Sequence, residues 1–112
     1  MADTMATKSP GRGVAEDAKY PHVLAHSRKD NVAVVVVEGL TAGTNAFGVV
    51  TEDNSTFSIL VKQDIPLGHK VALTDAKIDD TAIKYGQDIG RFVRPVAKGE
   101  HVHVHNLKTK RW

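Results

Sequence analysis

The chain contains no cysteine, which excludes disulfide scaffolds, thiolate zinc sites, iron–sulfur ligation by these residues and thiol catalysis. A reducing compartment is compatible with that absence, and the cytoplasm is the expected location. Aromatic residues make up only 5% of 112 positions, so a core built from this chain is aliphatic. Charge of one sign is scarce too: 15 basic residues stand against 13 acidic ones, a formal +2. Nucleic-acid binders gather lysine and arginine on one face beside stacking aromatics. Here only Lys108 to Trp112 is locally basic, and no nucleic-acid partner is expected. The longest apolar run, Val32 to Val37, falls far short of the roughly 20 residues of a membrane helix. Residues 1–20 lack the apolar centre of a signal peptide, so no membrane partner is expected either. A Ser–His–Asp order, a Walker glycine loop and a dinucleotide fingerprint are all missing.

What remains is an apolar fraction of 41% dominated by valine, enough for one modest β-branched core and better suited to strands than to a helical bundle. Residues 1–20 carry no apolar period and are expected to form a disordered arm, leaving 21–112 as the folded domain. Short strands are expected around Val23-Leu24, along Val32–Val37 as the central buried strand, and at Phe47–Val50 and Thr56–Lys62. Further strands are expected at Lys70–Thr74, Ala82–Lys84, Arg91–Val96 and His101–His105. Eight or so strands with turns at close intervals describe a compact all-β barrel or folded-over sheet.

Two glycine turns repeat one pattern. Ile65-Pro66-Leu67-Gly68 leads into Val71 and Leu73, and Val96-Ala97-Lys98-Gly99 leads into Val102 and Val104. In each, an apolar residue stands three before the glycine, and others follow three and five after it. Leu40-Thr41-Ala42-Gly43, leading to Ala46, is a looser third copy.

Where alternation turns polar residues outward, they are mostly histidine and lysine, types that bind anions, shuttle protons or ligate metals. Alternate strand residues lie about 6.6 Å apart on one face, so a strand over His101–His105 would present His101, His103 and His105 together. Two of them, His101 and His103 foremost, could ligate a metal. Equally, they could be solvated polar residues or groups at a subunit contact. His69 and Lys70 follow Gly68 directly and should emerge at a loop mouth, able to hold a carboxylate or to remain a solvated turn. Lys84-Tyr85-Gly86 and Gly90-Arg91 pose the same choice between anion contact and plain turn geometry.

Four segments carry a resemblance. They are Asp30-Asn31-Val32-Ala33, the run Ile65 to Asp75, Ile83-Lys84-Tyr85-Gly86-Gln87-Asp88-Ile89-Gly90-Arg91, and Gly99-Glu100-His101-Val102-His103-Val104-His105-Asn106. Together they resemble the amino-terminal SAF-like domain of the altronate and galactarate dehydratase family over residues 22–112. The resemblance implies a SAF, or β-clip, fold. It also implies a lyase in which a proton leaves the carbon beside a carboxylate while a group departs from the next carbon. A chain ending at Trp112 is most similar to family members in which this domain is a separate small subunit, those that cleave sulfolactate above all. A split altronate-type dehydratase is the nearest alternative, and a non-catalytic carbohydrate-binding module is an alternative of another class.

From the resemblance follow a large catalytic subunit as partner and a small anionic 2-hydroxy acid as substrate. A divalent metal, ferrous iron foremost, would be held mainly by that large subunit. His69 and Lys70 become the expected catalytic residues, with Lys84, Tyr85, Gly86, Arg91, His103, His105 and Asn106 as expected substrate or interface contacts.

Overall fold

A computed structural model describes residues 20–110; the expected arm, apart from Tyr20, lies outside the described residues. The described chain is all-β, with nine strands: β1 Val23–Ala25, β2 Val32–Val35, β3 Asn45–Val50, β4 Ser55–Leu60, β5 Lys70–Ala72, β6 Thr81–Lys84, β7 Gln87–Phe92, β8 His101–Val102 and β9 Leu107–Lys108. Six form one sheet in the order β4-β3-β1-β2-β5-β8, and three form a second in the order β6-β7-β9. Neighbours are antiparallel except β1 and β3, which run parallel.

The unbroken apolar run at β2 has a simple cause: its residues serve two cores. Ala33 and Val35 face one core together with Val23, Ile59, Ile65 and Val71. Val32 faces the other, with Ala72, Val102, Ala82, Phe92 and Val96. Burial on both faces removes the alternation that a half-exposed strand would show, at roughly 1.5–3 kcal/mol for each fully buried valine. The second sheet covers only part of this second face. Val34 is half-buried and Val36 exposed, so a cleft of about 200 Å³ opens there between Leu24, Val34, Val36, His26, Lys84 and Tyr85.

The glycine-turn pattern is an architectural repeat, and it occurs four times. Leu40, Ile65, Ala76 and Val96 stand three residues before the turn residue, and Ala46, Val71, Ala82 and Val102 three after it; all eight are buried. Leu40 pairs with Ile65, and Ala76 with Val96, as isolated bridges. The turn residue donates its amide to a carbonyl in or directly after a strand in every copy: Gly43 to Val61 at 2.7 Å, Gly68 to Val35 at 2.8 Å, Asp79 to Phe92 at 2.7 Å and Gly99 to Ala72 at 2.8 Å. Positive φ values of 90°, 87°, 73° and 91° explain the glycine preference. The Ala76 copy carries aspartate there, which hides it from a search for glycine.

Two sequence-based boundaries require correction. The strand expected over Arg91–Val96 is β7, Gln87–Phe92. Tyr85 and Gly86, at φ 57° and 69°, make a two-residue hairpin of the kind that matches sheet twist, so the chain re-enters the sheet at Gln87. The strand expected over His101–His105 ends at Val102. Asn106 is the reason: its Oδ1 accepts the His103 amide at 3.0 Å, and its Nδ2 donates to the His101 carbonyl at 2.8 Å. Those bonds bend His103–Asn106 into a turn, and Val104 becomes exposed instead of packing inward.

Candidate functional site

His69 comes to the surface through a local exemption in the turn repeat. The residue after the turn position folds back in two other copies, where the Asp80 carboxylate accepts the Lys77 amide at 2.8 Å and that of Glu100 the Ala97 amide at 2.8 Å. In the first copy Thr44 Oγ1 approaches Thr41 Oγ1 at 3.4 Å. The corresponding first turn residue in the second copy is Pro66, which has no amide hydrogen to offer. His69 is therefore released from capping its own turn, and it reaches across to β8 instead.

There His69 Nδ1 and His101 Nε2 share a hydrogen bond of 2.7 Å. The His103 ring stacks on His69, centroids 3.6 Å apart and planes within 10°, and His105 lies 4.9 Å from His101. The antiparallel register of β5 and β8, Val71 opposite His101 and Lys70 opposite Val102, brings these residues together. The expectation that the histidines would share one strand face is thus replaced by a strand pair plus a turn, with four imidazoles still gathered.

A shared N–H···N bond needs one ring to donate and the other to accept. The His69–His101 pair can therefore carry at most one positive charge while the bond lasts, the property of a group that takes up a single proton. Burial, and then the neighbouring His105, His69 and His103, holds the His101 pKa below its ordinary 6.5. Desolvation, with His69, Lys70 and His105 nearby, lowers that of His103 as well. Both rings are pushed toward the neutral, proton-accepting form.

Lys70, the first residue of β5, stands beside this stack on the face that continues into the cleft. Burial first, and the neighbouring Lys84 second, lower its pKa from the ordinary 10.5. Among the described residues neither lysine takes part in an ion pair. The Lys84 ammonium lies 4.7 Å from the Tyr85 ring centroid, and that ring meets His26 edge-on at 4.8 Å. Two cations without a carboxylate partner, next to imidazoles biased toward neutrality, form a place for a small anion that is to lose a proton.

Other expected site residues are placed differently. Arg91 lies opposite Thr81, at the far end of the hairpin from Lys84, and pairs with Asp79 at 2.9 Å, outside the imidazole cluster. Asn106 is buried with its amide engaged, so it shapes the histidine turn. Gly86 supplies backbone geometry, donating its amide to Asp30 at 2.8 Å. As for metal ligation by His101 and His103, no three histidine or carboxylate side chains among the described residues converge on one point. His69 and His101 use facing nitrogens on each other. The donors present here do not fit a complete metal site.

Two residues were not among the expected site residues. Asp30 is buried, and its carboxylate accepts amide bonds from His26, Ser27, Tyr85 and Gly86. Burial alone would raise its pKa, but these bonds together bring it below the ordinary value. Asn31 joins the two sheets through Thr81 and Ile83. Asp30-Asn31 opens the first resemblance segment without a role of its own; the partners that tie the pair across the fold lie about fifty residues away, beyond the reach of local pattern.

Residues 21–110 match the family model for the altronate/galactarate dehydratase SAF domain. The chain belongs to this family. Within it, the chain is 52% identical over 89 residues to the (2R)-sulfolactate sulfo-lyase subunit alpha of Chromohalobacter salexigens, covering 80% of this chain and 95% of that one. It is 59% identical over 64 residues to the protein of the same name from Paracoccus pantotrophus, covering 57% and 96%. Altronate dehydratase of Escherichia coli is 44% identical over 80 residues, 71% of this chain but 15% of that protein. Members of this SAF-domain family thus include both a separate lyase subunit and a minor part of a long dehydratase. No helix among the described residues is long and apolar enough to cross a membrane.

Proposed function

We propose that this chain is the small subunit of a two-subunit lyase that eliminates sulfite from (2R)-sulfolactate to give pyruvate, closing over and completing the active site of a large catalytic subunit. The observation that carries this is the His69–His101–His103 stack beside Lys70, which forms no ion pair among the described residues, on a domain that matches sulfo-lyase alpha subunits over nearly their whole length. In the elimination a proton leaves C2, the C3–S bond breaks with its electron pair departing on sulfite, and the resulting enol tautomerises to the 2-oxo acid. The imidazole pair takes up the proton, and Lys70 and Lys84 oppose the carboxylate or sulfonate as charge moves onto the substrate. A divalent metal, ferrous iron foremost, belongs to the proposal as a group held mainly by the large subunit. No step here runs through it, because this chain's donors do not form a complete site. A cytoplasmic location accompanies the reading.

A small subunit of an altronate-type dehydratase is the second reading, favoured by the 44% identity to the E. coli enzyme; water would then leave in place of sulfite. Coexpression with the large subunit, followed by parallel assays of sulfite release from sulfolactate and water loss from altronate, separates the two. Sulfite release is expected from the complex and none from the isolated chain. Turnover by the chain alone, or water loss only, would overturn the proposal.

A further inference from the structure

The chemistry proposed above leaves open what sets Lys84 and Tyr85 at the right distance from Lys70, since they ride on a hairpin tip in the other sheet. We propose that Asp30 is a positioning residue: its carboxylate clamps the Tyr85–Gly86 turn to the loop between β1 and β2, fixing Lys84 and Tyr85 opposite Lys70. Oδ1 accepts the Gly86 amide at 2.8 Å, and Oδ2 accepts the Tyr85 amide at 3.1 Å, across 56 and 55 residues of sequence. The same Oδ2 accepts the His26 amide at 2.9 Å and the Ser27 amide at 3.2 Å, so one buried carboxylate ties both loops.

Three further features agree with a clamp that serves the site. Tyr85 has φ 57°, a conformation unfavourable for a bulky residue unless its surroundings impose it, and an amide-binding carboxylate at that residue and the next imposes it. His26, whose amide the clamp also holds, meets the Tyr85 ring edge-on at 4.8 Å. Lys84, directly before the clamped pair, lines the cleft with Tyr85 and with Val34, the cross-strand partner of Lys70, and its charge acts on Lys70. A turn needed only to close the β6–β7 hairpin could use asparagine-glycine and would need no contact with the loop between β1 and β2.

The position of Lys84 can be read at Lys70 in the full chain without the large subunit, by following the Lys70 side-chain carbon signal through a pH titration. The charged or titratable neighbours acting on Lys70 are Lys84, from β6, and His103, from the turn after β8. Lys84→Gln is expected to move the Lys70 midpoint toward higher pH, and Asp30→Asn to move it the same way by releasing the turn. Asp53→Asn, at an exposed aspartate paired with Arg28, should leave it unchanged. A folded Asp30→Asn chain with the wild-type midpoint would overturn the proposal, as would a Lys84→Gln chain with no shift. Should Asp30→Asn not fold, hydrogen exchange on the wild-type chain decides. The Tyr85 and Gly86 amides are expected to exchange at least about tenfold more slowly than in an unstructured peptide, and unprotected amides would overturn the clamp.

A kinetic arm rests on the proposed lyase reading: Asp30→Asn in the assembled enzyme should raise KM for sulfolactate more than it lowers kcat, and unchanged constants would count against the clamp. If the wild-type complex releases no sulfite, the lyase reading fails while the Lys70 titration still decides Asp30.

Discussion

Lys70 occupies a strand position where an apolar side chain would be more stable, facing the same way as its cross-strand partners Val34 and Val102. Its pKa is lowered by burial and by Lys84, so the folded state favours the neutral amine. The corresponding stability is present only above the ordinary 10.5 and is lost as pH falls through the folded value. Below the folded value the fold bears the full penalty of the charged amine. Lys70→Met is therefore expected to raise Tm by a few degrees, while lowering kcat/KM of the assembled lyase at least about tenfold, or ~1.4 kcal/mol. Calorimetry beside kinetics checks both; a lower Tm would show that the lysine stabilises its surroundings. The histidines behave in the same sense. His101 and His103 have pKa values below 6.5 in the fold, so the unfolded chain binds more protons between those values and 6.5. Stability should decline as pH falls from 7.5 toward 5.5, read as a lower urea midpoint, and His103→Asn should flatten the decline. A flat wild-type profile would contradict these shifts. His69 and Lys70 were legible in the sequence because they follow a turn glycine. The further signal, Pro66 where the other turns offer an amide to be capped, becomes visible only when the copies are superposed.

Turn copies were legible wherever glycine marked them and invisible where Asp79 took its place. Their buried partners followed from simple spacing: the residues three before and three after pack inward in all four copies. Five after, the rule breaks: Lys84 lies there in the Ala76 copy, and Val104 is exposed. The histidine segment misled for a physical reason, since alternation alone cannot report that Asn106 takes the bonds a longer strand would have used. The glycines themselves are not equivalent. A Cβ on Gly43 meets nothing within 4 Å, whereas one on Gly99 would run into the Leu60 carbonyl oxygen. Gly43→Ala is expected to cost about 1 kcal/mol from its positive φ alone, and Gly99→Ala about 3 kcal/mol or more because backbone must also shift. Denaturant midpoints of the two variants check the ranking, and equal losses would contradict the close approach of Gly99 to β4.

Across the whole molecule, β2 and β5 feed two cores, and the second sheet stops short of covering their shared face. That shortfall leaves the cleft lined by His26, Lys84 and Tyr85, while the register of β5 and β8 gathers the imidazoles next to Lys70. The all-β class was legible from valine content and turn spacing. The division into two sheets was not, because it depends on Asn31 bridging to residues fifty positions away. The chemistry is assigned to the β5–β8 side because His69, His101, His103 and His105 gather there; another hollow of about 360 Å³, lined by Arg28, Phe57, Leu73 and Lys98 among others, brings no such cluster together. The most direct test of that assignment is kcat/KM for sulfite release by the reconstituted complex carrying His69→Ala, with subunit association measured on the same sample. The expected result is a fall of at least about tenfold with association intact, and wild-type kinetics from an intact complex would contradict a role for the His69–His101 pair in the reaction.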